Sequence, residues 1–591
     1  MDDSRSPEYD PSPDPRRPDM RPPAEGPRHS ATAPPSRRRS RRRSRLGWIL
    51  SGIAGVTVLA LVGAGVSWYV LSRPAPAETA AAYIEAWSSG DYAAMGEVAT
   101  GGDVVAAHER IAAELSVETT TASVDTVSED GDRATATFTV THTLADAGEW
   151  GYAGELPLRL VDGAWRVEFS PRVIHPELSE GQTLTRVSER NERGHILAAD
   201  GSRLDTEDAA GSVKILTGSV GTVTEEDLQQ LGSAYQVGDP TGKGGLQQAY
   251  EQRLAGVPDT SIQVVSDGEA DDATADEPTV VGTIEGADGE DVATSLAPAV
   301  QRAAAQAIVG QDKPAAFVAV RPSTGEILAA ATIPGGYHRV LDGQYPPGST
   351  FKIVSYSALL DNGLTMNDTM DCPKTADIGG WPFKNAHDAA YGEQTVTEAF
   401  ATSCNTALVK EVTERLDSEL LTAAAEQFGM NAGLDIGLSS TDPSFPPPEN
   451  NTMLAAASIG QGKILTSPLQ MATVAAAVAD GSWRSPVLVT DPAVPDQPQP
   501  RPVDHAEALR SMMRAVVTDG TASEAGFTGE VYGKTGSAEF GTPQEGEELD
   551  THAWFVGFQG GADLAFAVMV EGGGGGGSVA APLAKSFLDA L

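Results

Sequence analysis

The chain has 591 residues, which favours several domains over a single core, and its 40% of apolar residues is enough to fold them. The formal net charge of −41 is uneven: residues 1–45 carry 12 Arg and 7 Asp or Glu, a balance of +5, so residues 46–591 carry −46. Such an acidic surface excludes nucleic-acid binding for everything beyond the short basic tail, because it repels the phosphate backbone.

The N-terminal segment predicts a disordered tail followed by a membrane anchor. Residues 1–45 are rich in Pro, Arg and Asp, which disfavours folding, and they end in a cluster of arginines. Residues 46–72 hold no charged residue, are long enough to cross a bilayer as a helix, and have Trp48 and Trp68 near their ends. Arginines before a span keep the N-terminus in the cytoplasm, so we expect everything after residue 73 to lie outside. A cleaved signal peptide and a buried core helix are the alternatives.

The region 78–169 predicts helices followed by an antiparallel sheet. Thr79–Ser88 places its apolar residues on one helical face, and Asp162-Gly163 has the composition of a hairpin turn. Three segments alternate apolar and polar residues, as half-buried strands do: Ala134–Thr141, Leu156–Leu160 and Trp165–Phe169. These elements predict a cone-like α+β domain, and no pattern in it indicates chemistry.

The region 170–288 contains Arg193-Gly194-His195-Ile196, followed by Gly201. His195 invites a catalytic interpretation, but a surface or packing histidine is expected. No G-x-S-x-G, H-E-x-x-H or C-x-x-C motif occurs in the chain, so α/β-hydrolase chemistry and the common zinc sites are not indicated.

The region 296–591 predicts a sheet between layers of helices. Its first and last elements are predicted helices, Leu296–Val309 and Val579–Leu591. Strands are predicted around Lys534 and, on apolar runs bounded by turn residues, at Ala315–Val320, Glu326–Thr332, Ala553–Phe558 and Leu564–Glu571. A mostly helical centre separates the first strand pair from the others.

A serine and a lysine stand three residues apart in that helical centre, as Ser349 and Lys352. If the serine opens a helix, both side chains lie on the same face, one turn apart. A serine hydroxyl becomes a nucleophile when a neighbour takes its proton, and a lysine can do so if burial or another cation lowers its pKa. An exposed helix pair without chemistry is the alternative for an isolated S-x-x-K.

Two later motifs argue against that alternative. Ser403-Cys404-Asn405 follows a predicted helix, and Lys534-Thr535-Gly536 follows a predicted strand. S-x-x-K, a central S-x-N and K-T-G, in this order, are the signature of penicillin-binding proteins and class A β-lactamases. With these three motifs the chain resembles a class B, monofunctional penicillin-binding protein. Cys404 stands where the common pattern has Asp, at a position that points away from the reaction in this family.

The resemblance implies a multidomain α+β fold behind the anchor. Region 78–169 is similar to the nuclear-transport-factor-two-like domain (MecA N-terminal type) of some members, and 170–288 to the linker, pedestal or dimerisation-type domain. Region 296–591 is expected to be the transpeptidase domain, a β-lactamase-like α/β sandwich.

The resemblance also assigns the catalytic roles. Ser349 would attack a D-alanyl-D-alanine peptide bond and form an acyl-enzyme, and Lys352 would take its proton. Lys534 would help to keep Lys352 neutral. Asn405 would hold the Lys352 amine and the substrate amide, and Ser403 would pass a proton to the departing alanine.

Substrate binding is assigned to the third motif. Lys534 and Thr535 would bind the terminal carboxylate, and Gly536 would let the substrate backbone pair beside the strand. The backbone amides of Ser349 and Ser537 would form the oxyanion hole. No metal and no organic cofactor is implied.

Cys372 and Cys404 are the only cysteines of the chain. Both follow the predicted anchor, where oxidation is permitted, so a disulfide is possible, but the sequence does not supply their distance. A Cys-His nucleophile is the alternative, and a complete serine set disfavours it.

The predicted function is therefore peptidoglycan cross-linking, with acylation by β-lactams. Expected partners are stem peptides ending in D-alanyl-D-alanine, β-lactams, the lipid around the anchor, and a glycosyltransferase with division or elongation proteins, since no glycosyltransferase signature precedes residue 296. Alternatives that use the same serine are a D,D-carboxypeptidase, a β-lactamase and a β-lactam sensor. A non-catalytic scaffold of the division or elongation machinery is the alternative from another class.

Overall fold

The computed structural model describes residues 75–232, 234–266, 278–541 and 549–591. The predicted basic tail and membrane anchor lie outside these residues. Among the helices within the described ranges, none has both the length and the apolar character needed to cross a bilayer.

The N-terminal part is an α+β unit in which helices pack on one face of a five-stranded sheet. Its helices are α1 (Pro76–Ser89), α2 (Tyr92–Glu97), α3 (Val104–Glu114) and α4 (Pro171–Ile174). Its strands are β1 (Ala99–Thr100), β2 (Val117–Asp130), β3 (Arg133–Leu144), β4 (Gly148–Val161) and β5 (Ala164–Glu168). They lie in the order β1-β5-β4-β3-β2, antiparallel except for β1 and β5.

The three strands predicted from alternation are confirmed as β3, β4 and β5. The predicted turn at Asp162-Gly163 joins β4 to β5, with positive φ at both residues, as a type I′ hairpin requires. Strand β2 was not predicted, because this edge strand is rich in Thr and Ser and buries no side chain fully. Trp87 of α1 packs edge-on against Phe138 of β3, 5.6 Å between ring centroids.

The middle part is built on a three-stranded antiparallel sheet of order β11-β10-β6. Its strands are β6 (Gln182–Glu189), β7 (Ile196–Leu197), β8 (Ser219–Thr222), β9 (Pro240–Lys243), β10 (Asp259–Ser266), β11 (Thr279–Ile284) and β12 (Val292–Thr294). Its helices are α5 (Gly211–Thr217), α6 (Glu225–Leu231), α7 (Gly245–Ala249) and α8 (Glu251–Ala255).

The Arg193-Gly194 segment has a structural role in this part. The Arg193 guanidinium pairs with the Glu251 carboxylate at 2.6 Å, and a Cβ at Gly194 would lie 2.3 Å from the Glu290 carbonyl oxygen. His195 is 35% exposed and its Nδ1 lies 3.6 Å from the Asp205 carboxylate, which agrees with the surface or packing histidine expected from the sequence.

The C-terminal part centres on a five-stranded antiparallel sheet of order β14-β13-β24-β23-β22. These strands are β13 (Ala315–Val320), β14 (Ile327–Ile333), β22 (Val531–Glu539), β23 (Thr551–Gln559) and β24 (Ala565–Val570). Helices α9 (Pro298–Ile308) and α18 (Ala581–Asp589) pack on one face, and α16 (Pro468–Asp480) and α17 (Ala506–Thr518) on the other. Strands β13, β14, β23 and β24 are buried on both faces, which explains their mostly apolar sequences.

A helical layer beside this sheet carries the first two motifs. Its helices are α10 (Arg339–Asp342), α11 (Lys352–Asp361), α12 (Val396–Ala401), α13 (Asn405–Arg415), α14 (Ser418–Gln427) and α15 (Asn451–Ser458). Short strands between them are β15 (Thr369–Cys372), β16 (Thr375–Ile378), β17 (Trp381–Lys384), β18 (Gly392–Thr395), β19 (Ser482–Trp483), β20 (Val489–Asp491) and β21 (Arg501–Pro502). The sheet between layers of helices that the sequence predicts is confirmed.

Candidate active site

Ser349 lies in a single 3₁₀ turn, Gly348–Phe351, that leads directly into α11, whose first residue is Lys352. A separation of three residues puts both side chains on the same side of such a turn. Gly348 permits the turn because its φ is +54° and a Cβ there would lie 2.9 Å from the Ser537 carbonyl oxygen. Ser349 is partly exposed, whereas Lys352 is fully buried.

The Lys352 amine is held by three oxygen atoms of the second motif. Its Nζ donates to the Asn405 Oδ1 at 2.6 Å and to the Ser403 carbonyl oxygen at 2.7 Å, and it lies 3.2 Å from the Ser403 hydroxyl. Burial, and secondly the positive charge of Lys534, hold the Lys352 pKa well below its usual value of 10.5. A lysine whose pKa is lowered in this way can act as the base for a neighbouring hydroxyl.

Ser403 joins this amine to the lysine of the third motif. The Lys534 Nζ donates to the Ser403 hydroxyl at 3.0 Å and to the Thr535 carbonyl oxygen at 3.0 Å. Burial lowers the Lys534 pKa to about 7. The Ser403 backbone has a left-handed φ of 57°, in the tight turn between α12 and α13. Lys352, Ser403 and Lys534 therefore form one continuous chain of hydrogen bonds.

The hydrogen bonds around the two buried amines are those expected if Lys352 and Lys534 together carry one positive charge. A neutral amine has two N–H groups and one lone pair, and Lys352 can give the two N–H groups to the Ser403 carbonyl and Asn405. Its lone pair can then accept from the Ser403 hydroxyl, while Lys534 as an ammonium donates to the same hydroxyl. Ser403 is thus placed to move a proton between the two lysines.

The Asn405 side chain is fixed by a segment that the sequence did not single out. Its Nδ2 donates to the Lys384 carbonyl oxygen at 2.8 Å, which leaves Oδ1 for the Lys352 amine. The neighbouring Asn385 accepts hydrogen bonds from the Asn405 and Thr406 backbone amides at 2.8 and 3.0 Å. These contacts join segments about 20 residues apart, so no local pattern could have indicated them.

The third motif lies on β22, the edge strand of the sheet. The Phe540 amide donates to the Asp550 carbonyl, and the Gly560 amide donates to the Glu530 carbonyl, so even-numbered positions pair with β23. In an antiparallel pair the alternate residues direct their backbone groups to the other side. The backbone groups of Thr535 and Ser537 therefore face the free edge, where an extended peptide could pair with them. The Thr535 carbonyl at this edge accepts a hydrogen bond from the Lys534 amine.

Gly536 packs the motif strand against the nucleophile turn. A Cβ there would lie 2.8 Å from the Thr350 Cγ2 and 3.1 Å from the Pro347 carbonyl oxygen. This close packing is a second reason for glycine, beside the substrate pairing that the sequence predicts. The Thr535 hydroxyl shares a hydrogen bond of 2.5 Å with Thr521.

Cys404 and Cys372 form a disulfide, with their Cα atoms 6.3 Å apart. The sequence had left open whether these two cysteines are bonded. The bond fastens the second motif to β15 and leaves neither sulfur as a nucleophile. Within the described ranges, no group of three or more His, Cys, Asp or Glu side chains could hold a metal ion.

Three family models match successive parts of the chain. Residues 75–182 match an NTF2-like N-terminal transpeptidase domain, 182–294 a penicillin-binding protein dimerisation domain, and 315–589 a penicillin binding protein transpeptidase domain. A peptidoglycan D,D-transpeptidase, PbpA, of Mycolicibacterium smegmatis is 30% identical over 363 residues, which cover 51% of this chain and 72% of that protein. The chain belongs to the penicillin-binding protein family.

Solved structures of penicillin-binding proteins share its fold. PBP2 of Pseudomonas aeruginosa, in complex with WCK 5153, aligns with a TM-score of 0.57 and 25% identity, over 69% of this chain and 96% of that one. PBP2 of Helicobacter pylori, in a complex with MreC, aligns with a TM-score of 0.57 and 18% identity, over 69% and 98%. The multidomain α+β architecture expected of a class B member is confirmed.

Acylation of this penicillin-binding protein by a penicillin should have a bell-shaped pH profile. At a pH below both lowered pKa values, Lys352 and Lys534 are both ammonium ions. No neutral amine is then left to act as the base. Above about pH 7 the second proton leaves as well, and the cation that would bind the penicillin carboxylate is lost. The two apparent pKa values belong to the pair.

The second-order rate of acylation, measured between about pH 5 and pH 10, checks this. Lys463→Met, which removes an exposed lysine paired with Glu449, is the control and should keep the wild-type profile. A rate that stays constant across the range would contradict the shared charge.

Proposed function

We propose that this penicillin-binding protein is a monofunctional peptidoglycan D,D-transpeptidase that works through an acyl-enzyme on Ser349. The observation that supports it most directly is the chain of hydrogen bonds from Lys352 through Ser403 to Lys534, which begins three residues after the partly exposed Ser349. Such a chain supplies a base for the serine and a cation for an anionic substrate.

In acylation, the Ser349 oxygen attacks the carbonyl carbon of the penultimate D-alanine and its proton goes to the Lys352 amine. The C–N bond of the tetrahedral intermediate then breaks, and the departing D-alanine takes a proton from the Ser403 hydroxyl. Ser403 recovers that proton from Lys352, to which it is hydrogen-bonded. The product is an ester between Ser349 and the stem peptide.

The free edge of β22 would hold the substrate during this step. The terminal carboxylate would lie at Lys534 and Thr535, and the peptide would run beside the outward-facing peptide groups of Thr535 and Ser537. The Ser537 amide, with that of Ser349, would bind the developing oxyanion. Asn405 can bind the substrate amide only by giving up the Lys384 carbonyl, because its Nδ2 is engaged there.

In the second half-reaction, the side-chain amine of another stem peptide would attack the ester and release Ser349. Water in place of the amine would make the protein a D,D-carboxypeptidase, and fast hydrolysis of a β-lactam ester would make it a β-lactamase. A scaffold of the division or elongation machinery would need no turnover.

We further propose that residues 46–72 anchor the chain in the cell membrane, with residues beyond 73 outside. The Cys372–Cys404 disulfide supports this, because such bonds form in oxidising compartments. A separate glycosyltransferase would supply the glycan strands, and division or elongation proteins would direct their cross-linking. The complex with MreC is a property of the Helicobacter pylori protein, and here it only motivates a search for such a partner.

The test uses the full-length protein in detergent with a fluorescent penicillin, followed by mass spectrometry of the labelled peptide. We expect one adduct, on Ser349, that persists for hours, and cross-linked dimers when pentapeptide-bearing glycan strands replace the penicillin. Rapid loss of the adduct would indicate a β-lactamase. No adduct on folded protein would contradict the proposal and favour the scaffold.

A further inference from the structure

Asn385 is the most heavily bonded polar side chain beside the candidate active site. It is 6% exposed and lies just after β17. Its Oδ1 accepts from the Asn405 amide at 2.8 Å and the Thr406 amide at 3.0 Å. Its Nδ2 donates to the Pro373 and Ala389 carbonyl oxygens, both at 2.9 Å. The amide thus joins the β17 segment to the start of α13.

These contacts supply a cap that α13 lacks in its own sequence. The first backbone amides of a helix have no partner within the helix, and Ser, Thr, Asp or Asn just before it usually accepts from them. In α13 that position is Cys404, whose disulfide-bonded sulfur receives the Ala407 amide at 3.3 Å. Sulfur is a weak acceptor, so the Asn385 oxygen is the strong acceptor for this helix end.

The same segment also orients the catalytic amide. The carbonyl of Lys384, next to Asn385, accepts the Asn405 Nδ2 at 2.8 Å, and the Asn405 Oδ1 then meets the Lys352 amine at 2.6 Å. Backbone and side chain of Asn405 are therefore held by two consecutive residues. A shift of this segment would move the Asn405 oxygen away from Lys352.

We propose that Asn385 is a positioning residue for acylation, which caps α13 from a separate segment and thereby fixes Asn405 against the Lys352 amine. This inference rests on the proposed function of Ser349 and Lys352. Misplacement of a catalytic contact by about 1 Å can cost about 100-fold in rate, so the effect should be kinetic as well as structural.

Two substitutions separate the parts of this role. Asn385→Ala removes both acceptor and donor and should slow acylation by about 10- to 100-fold. Asn385→Asp keeps the acceptor for the two amides, loses the N–H donors to the Pro373 and Ala389 carbonyls, and puts a carboxylate two hydrogen bonds from the Lys352 amine. That negative charge favours the ammonium form of Lys352, so the acid limb of the acylation profile should move to higher pH. The neighbouring charges are Lys534, which faces the Lys352 amine, and the exposed Lys384 and Lys374–Asp388 pair.

Asn431→Ala is the matched control for loss of structure. Asn431 is exposed and makes two hydrogen bonds to backbone, half as many as Asn385, both with Phe445 (2.8 and 3.1 Å). Its left-handed φ of 58° adds strain for alanine. It should lower the thermal midpoint, yet acylate at the wild-type rate per folded molecule.

The experiment measures acylation by a fluorescent penicillin on the full-length variants, from pH 5 to pH 10, corrected for the folded fraction. The proposal is overturned if Asn385→Ala matches the wild-type rate, or if Asn385→Asp has the wild-type profile. If Asn385→Ala does not fold, the profile of Asn385→Asp decides. Failure of the proposed function is a separate result, because the wild type itself would then form no adduct on Ser349.

Discussion

Lys352→Met is expected to slow acylation by about 1,000-fold or more and, at pH 7, to raise the thermal midpoint of the protein. The rate falls because methionine cannot accept the Ser349 proton, and general bases contribute about 100- to 10,000-fold. The thermal midpoint rises because the fully buried Lys352 has a lowered pKa. At neutral pH the unfolded chain carries a protonated lysine, and the folded state disfavours that proton, which costs stability. Methionine has a similar length and needs no hydrogen-bond partner.

The sign of the stability change can be checked by pH. A lysine whose pKa is lowered in the folded state binds fewer protons there than in the unfolded chain, so stability rises with pH up to the unfolded value near 10.5. The free energy of unfolding should therefore rise more over this pH range in the wild type than in Lys352→Met. Lys463→Met is the control for loss of one lysine at the surface. Normal acylation by Lys352→Met would reject the lysine as base.

The second large effect is expected from removal of the disulfide. The Cys372→Ala, Cys404→Ala double variant should lose about 3.7 kcal/mol of stability, the chain-entropy estimate for a sequence separation of 32 between the cysteines. Because Cys404 lies between Ser403 and Asn405, the loss should affect the site first. The measurement is the urea concentration that halves penicillin labelling of the full-length protein.

Reductant provides the control for this prediction. It should move the urea midpoint of the wild type toward that of the double variant and leave the double variant unchanged. A double variant with the wild-type midpoint would show that the second motif is held by its other contacts, such as those of Asn385.

The motifs made the centre of the site predictable. The S-x-x-K spacing fixed Ser349 and Lys352 on one side of a turn, and the structure adds that this turn is 3₁₀ before it becomes helix. The strands at Ala553–Phe558 and Leu564–Glu571 were predictable because buried strands form continuous apolar runs. Roles in the reaction still rest on the proposed function.

Contacts between distant segments could not be predicted. Asn385 precedes Asn405 by about 20 residues and has no periodic relation to it, so its capping role follows only from the folded path of β17. The disulfide needed a distance, 6.3 Å between Cα atoms. One signal was present but not used: Thr395 and Glu398 have the spacing of a capping box, and they begin α12 as one.

The outward-facing peptide groups on β22 have an evolutionary consequence. A point mutation changes a side chain but leaves the peptide group in place, and only proline removes an amide hydrogen. In the proposed function, selection for β-lactam resistance could therefore not erase recognition at Thr535 and Ser537 by ordinary substitutions. It would have to act on side chains that wall-building also needs, or on the path of the strand itself. Few single substitutions could therefore confer resistance to an antibiotic that binds this edge through main-chain contacts alone.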